Sequence, residues 1–158
     1  MQTLTRRDAC NLIVDAMSNT VKLNVDQLKT IVFAVNNDIQ VRDFLMGLPK
    51  YFPMEDSIKF MTFMCAFTKG DEQVPFMSIL GMYVYEEGQT ADAVELLREA
   101  LTLNPTYQLT QLLTRVVVSG WPAKSFAEMR DGLADKVMVA CYGTAGSELI
   151  ATKETENG

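Results

Sequence analysis

Between residues 75 and 85 the chain reads PFMSILGMYVY, eleven positions without a charge. A helix made from such a stretch has no polar face, so every side of it must be buried, inside the domain or against another chain. The run is well short of the roughly 20 apolar residues that cross a bilayer, and acidic residues flank it. No other run in the sequence reaches that length, so no membrane span is expected. Whatever this chain folds into is therefore built around residues 75–85. A second stretch, SIKFMTFMCAF at 57–67, has nearly the same character. The polar linker TKGDEQV between them is short, which predicts an antiparallel helical hairpin, buried all round. Met54, Met61, Met64, Met77 and Met82 lie in it and read as adaptable core filler.

The periodicity is helical almost throughout. Ala9, Leu12, Ile13, Ala16 and Met17 share one face of a first helix, with Thr5 as its cap and Asp8 reaching back. Asn24 and Gln27 make a second box-like start, although the β-branched residues at 30–35 leave a strand open there. Asp38 starts a short helix that Gly47 and Pro49 stop. Thr90 caps a helix with Ala93, Leu96, Leu97, Ala100 and Leu101 inward and Asp92, Glu95, Arg98 and Glu99 outward. Asn104 caps the next, with Pro105 at its first position, a stripe of Leu109, Leu112, Leu113, Val116 and Val117, and Gly120 at its end. Ser125 and Glu128 form a capping box for a last helix lined by Phe126, Met129, Leu133, Val137 and Cys141. Trp121 is expected to plug the base of two helices. The fold class is all-α, a compact bundle of seven or eight helices. Residues 1–143 form one helical domain, 1–37 its N-terminal helices and 38–143 its core, followed by a flexible tail at 144–158.

Within 80–107, Leu80-Gly81, Gly88, Ala93, Ala100 and Pro105 are small or breaking residues at the spacing of two closely crossing helices. Segment 74–107 thus resembles a single tetratricopeptide repeat. Met77 and Val84 stand where that pattern prefers Trp and Tyr. A shift of one period recovers only Ala127 and Ala134, so the resemblance implies one repeat-like hairpin inside a bundle. Val41-Arg42-Asp43, then Ala93, Ala100, Leu101, Pro105, Tyr107, Leu109, Leu112, Leu113, Gly120 and Pro122, resemble the C-terminal half of an uncharacterised protein family of actinobacteria and their phages. That resemblance covers about residues 38–125 and implies a helical fold in a bacterial or phage setting, with no reaction. The family's N-terminal half has no counterpart in residues 1–37.

Chemistry is sparse. The chain has no histidine, which removes Ser-His and Cys-His nucleophiles and imidazole metal ligation. GTAG at 143–146 lacks a following lysine and is not a phosphate loop. The acid pairs in MEDS and YEEG point in different directions from a helix and read as charged helix ends. Cys10, Cys65 and Cys141 have neither disulfide-framework nor zinc spacing. Cys10 is the candidate reactive thiol, being near a helix start beside Arg6 and Arg7. A net charge of −6, with one adjacent basic pair, argues against nucleic acid. The polar breaks in the first twenty residues leave no signal segment, so a cytoplasmic setting is expected, the host's if the chain is phage-encoded.

These readings define a non-enzymatic interaction module without cofactor or metal, binding a protein partner, a host protein in the phage case. Pro75, Ser78, Met82, Tyr85 and Glu86 are its expected contact residues, on the groove side of the repeat-like hairpin. One alternative is a homodimer formed through the apolar hairpin 57–85. Another is a small enzyme using carboxylates or Cys10.

Overall fold

The computed structural model of the protein describes residues 5–18 and 22–143. Among them the structure is helical with no strand: α1 Arg6–Ser18, α2 Val25–Asn37, α3 Ile39–Met46, α4 Leu48–Tyr51, α5 Met54–Phe67, α6 Val74–Glu86, α7 Thr90–Leu103, α8 Gln108–Val118 and α9 Ala123–Tyr142, with a 3-10 turn at Gly70–Gln73. The all-α expectation therefore holds. The chain divides into two units, Met1–Pro53 with Asp131–Gly158, and Met54–Arg130, the later boundary falling inside α9. The tail at 144–158 lies outside the described residues.

In the first unit α1, α2 and α3 pack on one another. Their starts are set by local side chains. Thr5 and Asp8 exchange hydrogen bonds of 3.0 and 3.1 Å, and Asn24 and Gln27 do the same at 2.9 and 2.8 Å. Each exchange satisfies two amide donors that a helix N-terminus leaves without partners. The 30–35 segment is helix, not strand. Ile31, Val32 and Val35 are buried there, and packing outweighs the modest helix penalty of β-branched residues. Asp38 ends α2 and caps α3 by accepting the Gln40 amide at 2.9 Å. Gly47 does not stop the chain outright: α4 follows at once, and Pro49 is tolerated in its first turn. A Cβ on Gly47 would lie 3.0 Å from the Ala134 Cβ, so α9 passes this corner at close range through two of the smallest residues.

The second unit is built around α6. Every residue from Val74 to Tyr85 is buried, with α5, α7, α8 and the 3-10 turn packed against the helix. The apolar run at 75–85 is thus enclosed as its composition demands. Gly88, at φ 83°, ends α6 in a Schellman arrangement: the Gln89 amide donates to the Val84 carbonyl at 2.9 Å and Gly88 to Tyr85 at 3.0 Å. Gly120 closes α8 in the same way, through the Trp121 and Gly120 amides. The α6–α7 crossing rests on Gly81, where an added Cβ would stand 3.3 Å from Leu97 Cγ and 3.6 Å from the Ala93 carbonyl oxygen. Gly81→Leu should overpack this crossing and lower stability by about 1–3 kcal/mol or more. Urea unfolding checks it, and an unchanged midpoint would show that the two helices are not held at contact.

Four expectations are corrected. The stretch 57–67 is not enclosed: on α5 only Ser57, Met61 and Met64 are buried, a single stripe, while Phe63 is 51% exposed. At α7 the cap position is Gln89, and Thr90 is already helical. Asn104 does not cap α8 directly. Its carboxamide oxygen accepts the Thr106 amide at 3.2 Å, making a local turn around Pro105, and α8 begins at Gln108. Helix α9 begins at Ala123, two residues before Ser125, and its buried stripe is Phe126, Arg130, Ala134, Met138, Cys141 and Tyr142. Met129 and Leu133 are exposed instead. The helix is turned by about one residue from the face that hydrophobicity alone selects, because the close approach at Gly47 admits only Ala134 and Arg130 has a buried partner.

Candidate functional site

The five residues expected to present a groove are all on α6, and the structure places them inside the second unit. Pro75 occupies the first turn, where a missing amide hydrogen leaves no bond unmade. Ser78 is fully buried, its hydroxyl 2.8 Å from the Val74 carbonyl oxygen and 2.7 Å from Thr110 Oγ1 on α8. Met82 is 2% exposed. The Tyr85 hydroxyl donates to the Trp121 carbonyl oxygen, tying the end of α6 to the turn after α8. The Trp121 ring meets Phe126 edge-on at 5.9 Å while remaining 38% exposed, so it covers this corner from outside more than it plugs it. Glu86 pairs with Arg130 of α9, and both side chains are only 6% exposed.

These contacts correct the surface role given to the five. They link α6 to α8, to the turn after it and to the first half of α9. The misreading has a physical source. In a stacked repeat the first helix of the pair has one face open, whereas here α5, α7 and α8 all cover α6.

What α6 does not offer to solvent, α5 does. Phe60, Phe63 and Phe67 follow one another at spacings of three and four, along one flank of α5 beside its buried stripe. Phe63 and Phe67 stack, ring centroids 6.2 Å apart and planes inclined by 11°. Phe60 and Phe67 are half-buried and Phe63 stands out. Glu55 and Lys59, 3.3 Å apart and both well exposed, mark the outer edge. Glu55 and Asp56 charge the N-terminal turn, and Lys69 follows the C-terminal end. This flank was missed because the stretch reads as apolar all round. The signal was nonetheless there: Glu55, Lys59, Thr62 and Ala66 fall at helical spacing and trace the solvent side.

The thiols also differ from expectation. Cys10, the candidate reactive thiol, is buried. Its thiol is pushed up strongly, first by its hydrogen bond to Cys141 and then by burial, and Arg6 only partly offsets these. Cys141 is the more acidic of the two, lowered by that hydrogen bond and by Arg6 against the opposing effect of burial. Burial alone pushes Cys65 up to about 12. Among the described residues no three His, Cys, Asp or Glu side chains are grouped so as to hold a metal ion, and no helix is long and apolar enough to cross a membrane. Compared with protein-family models, curated proteins and solved structures, the chain matches none.

Proposed function

We propose that this chain is a non-enzymatic helical protein-interaction module acting in the cytoplasm of an actinobacterial or phage-infected cell, with the aromatic flank of α5 as its contact surface. The tetratricopeptide-like pair α6–α7 is the scaffold in this reading, and the occupant of the flank is a second copy of the chain. The observation that carries it is the stacked Phe63–Phe67 pair, Phe63 exposed and Phe67 half-buried, in a seam with Phe60, at the three-and-four spacing by which one helix packs along another.

Self-pairing is favoured over a foreign partner by the helix ends that an antiparallel seam brings together. Two α5 helices laid antiparallel about Phe63 bring the N-terminal turn of one copy, with Glu55 and Asp56, level with the C-terminal end of the other, where Lys69 is followed by Asp71 and Glu72. Opposite ends of the helix dipoles then also meet, a favourable arrangement. A two-fold interface of this kind needs only one self-complementary patch. Size-exclusion chromatography with light scattering at tens of micromolar should give a dimer. Phe63→Glu should give a monomer of unchanged helicity by circular dichroism, since burying a charge in the seam opposes association. A wild-type monomer at that concentration would overturn the assignment.

A further inference from the structure

Helix α9 runs through the boundary between the two units, Arg130 belonging to one and Asp131 to the other. It is anchored on each side of that point. Arg130 is paired with Glu86 of α6, both side chains only 6% exposed. One turn later Ala134 is buried, and a Cβ on Gly47 would lie 3.0 Å from its Cβ. Asp135 is bonded to the Lys50 ammonium at 2.5 Å.

Asp131, Gly132 and Leu133 separate the two anchorages. Gly132, in their middle, has no packing reason to be glycine. An added Cβ there would meet nothing within 4 Å, and the residue is not among the glycines of positive φ. Glycine inside a helix nevertheless weakens it relative to alanine, because it has more backbone freedom to lose. Lys50 Nζ also donates to the Asp131 carbonyl oxygen at 3.1 Å. In an α-helix that oxygen accepts the amide of Asp135, four residues on. Lys50 therefore keeps it satisfied when the turn is open. The chain's other passage between the units is at Pro53, after Phe52 in extended conformation at φ −134° and ψ 155°. Proline has no amide hydrogen, so it adds no helical bond between α4 and α5.

We infer that α9 is jointed at residues 131–133. The turn around Gly132 opens while Arg130 and Ala134 keep their partners, and the two units reorient about this point and Pro53 with neither core disturbed. A few residues absorb the backbone change, as in other hinges. Alanine at 132 would fit and would stiffen the helix, so glycine here keeps the turn easy to open.

The test follows amide hydrogen exchange by NMR along the whole chain, with residual dipolar couplings measured on the same protein. The amides of Ala134, Asp135 and Lys136 have the carbonyls of residues 130–132 as their helical acceptors. They should exchange faster than the amides of Arg130 and Met138, and Gly132→Ala should slow them about fivefold, the factor between glycine and alanine in a helix interior. The couplings of the two units should fit alignment tensors of different magnitude, and Gly132→Ala should bring the magnitudes together. The added methyl group has room, so the variant should fold. The inference is overturned if the three amides exchange as slowly as those of Arg130 and Met138, or if one tensor magnitude serves both units in the wild type. It is equally overturned if Gly132→Ala leaves the exchange or the difference in magnitude unchanged. The dipolar couplings separate a joint from a merely soft turn, which would leave the two units with one tensor.

Discussion

Glu86→Ala is expected to destabilise the second unit by about 3–5 kcal/mol, the range for breaking a buried ion pair from one side. The side chains of Glu86 and Arg130 are each 6% exposed and in direct contact. Removing the carboxylate takes from the enclosed guanidinium the acidic side chain it is paired with. The intact pair is not thereby a strong net stabiliser, because both charges were taken out of water to form it. The double variant Glu86→Leu with Arg130→Met should therefore recover most of the loss. Urea unfolding of the two singles and the double closes the cycle. A loss below about 0.5 kcal/mol for Glu86→Ala, the ordinary range of surface substitutions, would mean that the pair is solvated. The same reasoning changes what Glu86 is for. A residue expected to select a basic partner at the surface is instead paired with Arg130, and altering it is expected to perturb folding.

Phe76→Ala should cost about 3–5 kcal/mol, whereas Phe63→Ala in the monomeric state should change stability by no more than about 0.5 kcal/mol. The two residues are the same and sit on adjacent helices of one hairpin. Phe76 is fully buried on α6, so its removal forfeits the transfer energy of the ring and leaves a cavity in a closely packed interior. Phe63 is 51% exposed and loses little. Measured by urea unfolding at low protein concentration, the ratio tests whether α5 and α6 differ in surroundings as the structure has it. Equal losses would place α5 inside and remove the seam on which the proposed self-association depends.

A dimer that Phe63→Glu does not disrupt would remove the α5 flank as the contact surface.

How much of this was legible in advance depends on how far apart the deciding groups lie. Thr5 with Asp8 and Asn24 with Gln27 were read correctly as helix starts, because each pair is complete within three residues. Ser125 with Glu128 has the same form and does not start α9. Pro122 and Ala123 begin the helix two residues earlier, the Phe126 amide donating to the Pro122 carbonyl oxygen at 3.1 Å. A capping pattern is thus a local option that the preceding residues can pre-empt. The candidate site was legible in composition and illegible in orientation. Ser78, Met82, Tyr85 and Glu86 were identified as residues that matter in α6, but whether they face out depends on α7, α8 and α9.

The amino-acid order alone determined that the chain is helical, that residues 75–85 must be enclosed, that Gly88 and Gly120 end their helices, and that Gly81 admits a close crossing. Each of these follows from side-chain size, charge or backbone freedom within a turn or two. Only the tertiary structure decided that α5 keeps an aromatic flank outside and that α9 buries Arg130 and Ala134 in place of Met129 and Leu133. Those outcomes are set by which distant helix arrives at a given face, and an apolar face is equally suited to a core, a second copy or a neighbouring helix until one of them occupies it.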